Sequence, residues 1–144
     1  MRVNVVRPLA TRIRQSLEAA GVEVFHEDAE QLHIAERVRL HLMDSGIRVR
    51  TPSRVEFTAR CQRSDHPNSP DSTLVERVRE AVGAPATARG FREIAIERLE
   101  VRSPSNESDI LDVWHQLTYE LEANQPAEIV SAVQWALALE RHIR

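Results

Sequence analysis

The side chains of this chain that could do chemistry are six histidines, one cysteine and a Ser-Asp-His triplet. The histidines are His26, His33, His41, His66, His115 and His142. His33 and His41 could approach one another, but no carboxylate stands at a matching ligand spacing, and one cysteine cannot provide a zinc-binding pair. We therefore expect these histidines at surface or half-buried positions rather than in a metal site.

The cysteine and the triplet have equally simple interpretations. Cys61 follows the apolar alternation of its segment, which predicts a small buried side chain rather than a catalytic thiol. Ser64, Asp65 and His66 are the residue types of a hydrolytic triad. Triad members are brought together by the fold and not by adjacency, so we interpret the triplet as part of a loop.

All 19 basic residues are arginine, and the chain has no lysine. This excludes the lysine of a phosphate-binding P-loop and any Schiff-base mechanism. With only four glycines, a phosphate-cradling loop is not expected. The arginine preference has two interpretations: coding bias in a GC-rich genome, or a choice of bidentate contacts at interfaces.

Arginines concentrate in the middle of the chain, where alternation would place them on one face of a sheet. They are Arg37, Arg39, Arg48, Arg50, Arg54 and Arg60. Three interpretations remain open. The face could contact nucleic acid, although no stacking aromatics interleave with the arginines; it could be a solvated face balanced by acidic residues; or it could face another subunit or a channel.

Composition sets outer limits on the function. A length of 144 residues predicts a single domain, residues 1–144. The net charge of −3 gives no global attraction to nucleic acid or anionic membranes, and no apolar stretch approaches the length of a membrane span. Residues 1–4 show no secretory leader, and a single cysteine fits a reducing compartment.

Periodicity predicts three helices, at residues 9–20, 73–82 and 127–142. Gly21 and Gly83 should end the first two, and Thr73 with Glu76 fits a capping box. Residues 84–90 should be a flexible link. The last helix is apolar over most of its circumference, so it either packs deeply against the sheet or docks in part on another chain.

Alternation predicts strands at residues 38–42, 47–50, 55–61, 94–101 and 113–122. Residues 22–25 are a short strand or a return segment, and residues 29–43 could instead be helical. Residues 44–46 and 103–109 are turn or loop signals, residues 64–71 form a loop, and Pro52 interrupts two strands. We predict an α+β fold: an antiparallel, mostly meander sheet of about four strands flanked by helices, with an additional C-terminal helix.

The run over residues 113–122 carries the clearest alternation. Val113, Leu117, Tyr119 and Leu121 form its apolar set; His115, Thr118, Glu120 and Glu122 form its polar set, with one slip near Gln116. This pattern predicts a strand in which the three residues Leu117, Tyr119 and Leu121 are not all exposed.

The order of these segments resembles a known family. The likeness rests on the strand at residues 55–63, the Ser-Asp-x-Pro loop, the helix at residues 74–82, the segment at residues 94–98, the loop at residues 102–109 and the run at residues 114–121. Together they look like the tail terminator, or tail completion, proteins (minor tail proteins) of long-tailed bacteriophages and related gene-transfer particles. The resemblance covers residues 8–123, and the C-terminal helix goes beyond the shortest members.

The resemblance implies an α+β fold with an antiparallel sheet flanked by helices. It also implies a structural virion protein that forms a hexameric ring, caps the tail tube, stops its polymerisation and joins head to tail. It implies no catalysis and no cofactor or metal. The implied partners are further copies of the chain, the tail tube protein and the head–tail connector protein, with no membrane and with DNA at most passing through the ring lumen. The implied location is the virion tail or neck, assembled in the host cytoplasm.

Candidate interface residues and alternative functions complete the expectations. Arginine and aromatic residues are favoured at subunit contacts, so Arg48, Arg50, Trp114 and Trp135 are the candidates, chosen from exposure pattern alone. The alternatives are a head–tail connector protein of the same particle, a small dimeric α+β binding or regulatory domain, and an enzyme with a composite site at a subunit interface.

Overall fold

A computed structural model describes residues 6–50 and 53–144. The predictions for residues 1–4 and for Pro52 lie outside these residues. The helices are α1 (Val6–Ala19), α2 (Asp71–Val78), α3 (Ala84–Arg89) and α4 (Pro126–Ala138), with a π-helical segment (Arg79–Gly83) between α2 and α3 and a 3-10 turn (Arg63–Asp65). The strands are β1 (Val24–Glu27), β2 (Gln31–Val38), β3 (His41–Arg50), β4 (Arg54–Gln62), β5 (Arg92–Ser103), β6 (Asn106–Glu122) and β7 (His142–Ile143).

The strands form one sheet in the order β1-β2-β3-β4-β6-β5, with β7 beside β4. The α+β class and the antiparallel sheet are confirmed, and β1 to β4 run as a meander. The predicted number of strands was wrong: the described residues contain seven strands and not about four. The added strands include the short β7, which pairs with β4 in parallel where the last helix was expected to continue.

The chain divides into two compact units that share β4 and β6. Unit 1 comprises residues up to Phe57 and residues 120–139, and unit 2 comprises residues 58–119 and 140–144. The expectation of a single domain stays a prediction.

The core of unit 1 lies between its strands and the helices α1 and α4. One face of the strands contributes Leu32, Ile34, Ile47, Val49, Val55 and Phe57, all buried. Ile13 and Leu17 of α1 and Ile129 and Val133 of α4 are also buried, and α4 contacts both α1 and β3. The apolar last helix therefore packs within its own chain.

The core of unit 2 is built by β6 and the helical stretch from Asp71 to Arg89. Leu74, Val78, Val82 and Ala86 of the helices and Val113, Leu117 and Tyr119 of β6 are buried. The strand prediction for residues 113–122 is confirmed, as is the burial of Leu117 and Tyr119. The slip was wrong, because His115 is buried like Val113 and Leu117 at the odd-numbered positions. The even-numbered Thr118 and Glu120, which were assigned to the polar set, are buried too.

The β2–β3 hairpin corrects two predictions. Residues 38–42 are not a strand: β2 ends at Val38, Arg39 adopts a φ of 59° and β3 starts at His41. Asp44, Ser45 and Gly46 are not a turn but lie inside β3, where the register with β2 shifts between Ile34 and Ala35. The residues that favour turns also favour such bulges; the Ser45 hydroxyl donates to the Ile34 carbonyl at 2.6 Å and anchors this one. A helix over residues 29–43 is absent.

Three further boundaries differ from the prediction. The helical chain continues through Gly83 into α3, so residues 84–90 are not a flexible link, and Gly90 instead ends the helix at a φ of 108°. The N-cap of α2 is Pro70 without a side-chain cap, so the Thr73–Glu76 capping box is not formed. The strands β5 and β6 extend into residues 103–109, leaving only two turn residues between them.

The last helix is also shorter than predicted. It ends at Ala138 and not at residue 142, because the next residue, Leu139, adopts an extended conformation with ψ of 137°. The backbone amide of Arg60 then hydrogen-bonds to the carbonyl of Arg141, which docks the C-terminal segment on β4.

Candidate interaction surfaces

In unit 1, the sheet face opposite the apolar core carries a group of charged side chains, here called the Arg–Glu cluster: Arg48, Arg50, Arg54, Glu56 and Glu120. Strand alternation creates it, because Val55 and Phe57 point into the core and Glu56 between them points away. Glu56 stands opposite Arg48 in the β3–β4 register.

The arginines of the cluster lie against two nearly buried carboxylates. Glu56 accepts from Arg50 at 3.0 Å and from Arg48 at 3.3 Å, and its side chain is only 6% exposed. Arg54 lies 3.1 Å from Glu120, whose side chain is 5% exposed. The hydrogen bond to Glu56 raises the pKa of Arg50 above its usual value. The arginines thus cover the carboxylates while their own outer portions remain half exposed.

In unit 2, Arg60 stacks on Trp114. The Arg60 guanidinium carbon lies 4.3 Å from the ring centroid, within the range of a cation–π contact. The Trp114 indole N–H points to Asp112 at 3.3 Å. The aromatic partner comes from a neighbouring strand, so alternation within a single segment could not reveal it.

The arginine-rich segments are therefore largely charge-balanced. Arg37 pairs with Glu23, Arg48 and Arg50 pair with Glu56, and Arg54 pairs with Glu120. This pairing matches the interpretation of a face balanced by acidic residues. Arg39, at the exposed β2–β3 turn, takes part in no ion pair with another described residue.

Each of the four candidate interface residues has a partner within its own unit. Arg48 and Arg50 share Glu56 in unit 1, and Trp114 stacks with Arg60 in unit 2. Trp135 lies half-buried on α4, with its ring edge-on to Phe57 at 6.3 Å. The aromatic partner of Trp135 thus belongs to the same chain. The interface role of all four residues stays a prediction.

Asp71, the first residue of α2, is the centre of a second polar group. Arg63 and Arg98 donate to its carboxylate, and Nε2 of the buried His115 lies 3.5 Å from Oδ1. Although partial burial raises the pKa of Asp71, the hydrogen bonds from the two arginines outweigh it and lower that pKa below its usual value. The group joins α2, β5 and β6 within unit 2.

The Ser64-Asp65-His66 triplet is spread over different partners. The Ser64 hydroxyl donates to Asp112 at 2.8 Å, and Asp65 lies 3.5 Å from Nε2 of His142. Burial raises the pKa of Asp112, but hydrogen bonds from Ser64 and nearby amides lower it below its usual value. The triplet is thus a docking point for β6 and the C-terminal segment.

Cys61 and His33 lie in surroundings that indicate structural and not catalytic roles. Cys61 is fully buried, and burial raises the pKa of its thiol, which is opposite to the shift that activates a nucleophile. His33 faces Asp28 at 3.2 Å and Asp44 at 3.8 Å. Within residues 6–50 and 53–144, no cluster of three or more metal-ligating side chains is found. Among the helices of the described residues, none is long and apolar enough to cross a membrane.

Exposed apolar side chains concentrate on two hairpins that sequence reasoning missed. The β2–β3 tip (residues 37–43) exposes Val38, Leu40, Leu42 and Met43, and the β5–β6 arm (residues 96–111) exposes Ile96, Leu99, Ile110 and Leu111. Leu40 is 93% exposed. A sequence signal existed in the arm: its apolar residues change parity between Ile96 and Leu99, so no single face of the strand can bury them all.

Comparisons of the chain with protein-family models, curated proteins and solved structures found no match.

Proposed function

We propose that this chain is a structural virion protein of the tail terminator type from a long-tailed bacteriophage. In this proposal it assembles as a hexameric ring, caps the tail tube, stops tube polymerisation and joins the tail to the head. It works without catalysis or cofactor. Its place is the tail or neck of the virion, and DNA at most passes through the ring lumen.

One observation carries the proposal: the concentration of exposed apolar side chains on the two hairpins. Eight of the ten large apolar side chains exposed in the described residues lie on the β2–β3 tip or the β5–β6 arm. Exposed apolar patches mark protein–protein contacts, and each hairpin groups four exposed apolar side chains in one short segment. A subunit that must bind copies of itself and a tube end needs at least two such surfaces.

The fold class adds support of a more general kind. The antiparallel α+β architecture agrees with the fold that the resemblance implies, and the resembling segments include β4, the helix from Asp71 and β6. Glu56 of the Arg–Glu cluster accepts hydrogen bonds from two arginines of the same chain, which favours a structural role for this cluster over a reactive one.

The test is assembly and capping. Size-exclusion chromatography with light scattering and negative-stain imaging should show six-membered rings, alone or after addition of purified tail tubes from the same phage. Rings should appear at tube ends and should arrest polymerisation of the tube protein. A chain that stays monomeric and leaves tube growth unchanged would overturn the proposal.

Two other outcomes lead to the alternatives. A stable dimer that ignores tail tubes would point to a binding or regulatory domain. Binding to DNA-filled heads without binding to tube ends would point to a head–tail connector protein. Either result contradicts the terminator function.

A further inference from the structure

We propose that the β2–β3 tip of one copy docks on the β5–β6 arm of the next copy, so that the chain assembles head to tail. The inference rests on the proposed ring assembly and specifies the contact that builds it. The occupant of each surface is therefore a second copy of this chain.

The tip is an apolar surface with positive charge. Residues 37–43 read Arg-Val-Arg-Leu-His-Leu-Met, and all seven are exposed. The segment contains two arginines and no carboxylate. Arg37 is held by Glu23, whereas Arg39 forms no ion pair with another described residue. The tip thus offers one uncompensated guanidinium beside four apolar side chains.

The arm is an apolar surface with negative charge. None of residues 96–111 is buried, and the segment carries four carboxylates and two guanidiniums. Arg98 and Arg102 both pair with Glu100. The carboxylates of Glu97, Glu107 and Asp109 form no ion pair within the part of the chain that the structure describes.

These two surfaces complement one another. Both expose apolar side chains that gain by leaving water, and their uncompensated charges are of opposite sign. Complementary charge steers the encounter and disfavours contacts between like surfaces, here tip with tip or arm with arm. Because the two surfaces are different, the contact is heterologous, and such contacts close into rings or continue as filaments.

The decisive experiment uses two variants that each lose one surface. The tip variant carries Leu40→Glu and Leu42→Glu, and the arm variant carries Ile110→Glu and Leu111→Glu. Each alone should be monomeric by light scattering, because every contact needs one intact tip and one intact arm. Their equimolar mixture should form a 1:1 dimer and stop there, since the remaining surfaces of that dimer are both damaged.

Charge reversal tests the electrostatic part of the contact. Arg39→Glu should weaken assembly by about tenfold or more, and Glu107→Arg with Asp109→Arg in the same chain should restore it. Arg39→Asn is the matched variant that tolerates the turn conformation and removes the charge without reversing it. It should weaken assembly less than Arg39→Glu does.

A control for added charge places Glu at exposed helix positions away from both surfaces, as Gln15→Glu with Gln134→Glu. It should assemble like the parent chain, and circular dichroism should show every variant folded. If the tip and arm variants still form rings, or if their mixture stays monomeric while the parent assembles, the proposed contact is wrong.

The outcomes for contact and function can be told apart. Parent rings that cap tubes but survive both surface variants would overturn the tip–arm contact and leave the terminator function standing. Parent assemblies that both variants abolish, with a 1:1 mixed dimer but no tube capping, would uphold the contact and overturn the function.

Discussion

Gly83 and Tyr119 show how a single pair of residues fixes the packing of unit 2. A Cβ built on Gly83 would lie 2.9 Å from the Tyr119 hydroxyl oxygen, closer than such atoms approach. The backbone of Gly83 is helical, with φ of −61°, so the glycine is required by space and not by conformation. The sequence predicted that Gly83 ends a helix. In the structure Gly83 instead allows the helical stretch to approach Tyr119 of β6 closely.

Gly83→Ala should destabilise the chain by up to about 2 kcal/mol, because overpacking costs about 1–3 kcal/mol and helix propensity returns roughly 1 kcal/mol. In a Tyr119→Phe background the hydroxyl oxygen is gone, and the nearest ring carbon, Cζ, lies at an ordinary 3.7 Å from the added Cβ. There the same substitution should be neutral or stabilising. Urea unfolding of all four chains measures the coupling; equal costs in both backgrounds would contradict the prediction.

Asp71 and Asp112 should make the free energy of unfolding fall at acidic pH. Both have folded pKa values below the ordinary 3.8, because hydrogen bonds to the carboxylates outweigh the effect of burial. Their contribution is complete above about pH 4 and is lost as the pH falls through the lowered folded pKa values. Urea unfolding at pH 7 and at pH 3 should therefore show a loss of stability in acid.

Asp71→Asn should lower stability at pH 7 and reduce the further loss between pH 4 and pH 2. Glu80→Gln is the matched control, because Glu80 is exposed, lies outside both proposed surfaces and forms no ion pair with another described residue. It should follow the parent chain at every pH. An unchanged pH profile for Asp71→Asn would show that Asp71 contributes no such dependence.

At the scale of elements, the β2–β3 hairpin turns at a residue that does not favour its conformation. Arg39 is the non-glycine residue with positive φ among the described residues, and this region costs a non-glycine side chain about 1 kcal/mol or more. The neighbouring residues contain no turn signal, which is why the turn was predicted to begin about five residues too late, at the Asp-Ser-Gly bulge. Keeping Arg39 there is consistent with its proposed contact.

Arg39→Gly should stabilise the isolated subunit by about 0.5–1 kcal/mol, since glycine adopts the left-handed region without strain. Arg39→Val should destabilise it, because a β-branched side chain tolerates positive φ poorly. The midpoints of thermal unfolding, measured at protein concentrations too low for assembly, should be higher for Arg39→Gly than for Arg39→Val. Identical midpoints for both variants would argue against strain at this turn.

Elements with one buried face were predictable, and those without one were not. Alternation placed β4 and the second half of β6 because Val55, Phe57, Leu117 and Tyr119 all point into a core. The same rule failed at the hairpin ends, where side chains on both faces are exposed and parity carries no information. The two proposed contact surfaces, the β2–β3 tip and the β5–β6 arm, lie at these hairpin ends. The sequence pattern was therefore least informative at the proposed contacts.

At the scale of the whole molecule, proposed self-association links stability to concentration. A contact that forms only in the folded state stabilises it by about 2.7 kcal/mol at a hundredfold excess over Kd. For a chain of this size that corresponds to several degrees in the unfolding midpoint. The midpoint should therefore rise with protein concentration.

The tip variant, Leu40→Glu with Leu42→Glu, should unfold at a midpoint that does not depend on concentration. Differential scanning calorimetry over a hundredfold range in concentration makes the comparison. A parent chain with a constant midpoint would show that it does not assemble through its folded state under those conditions.

The sequence by itself determined the α+β class, the amphipathic α1 and the buried face of β6, because each follows from the short-range periodicity of apolar side chains. Tertiary structure alone decided what sits across from each residue. It placed Glu56 under two arginines, Trp114 against Arg60, and Gly83 against Tyr119. These partners are far apart along the chain or come from neighbouring strands, and no local pattern encodes such distances.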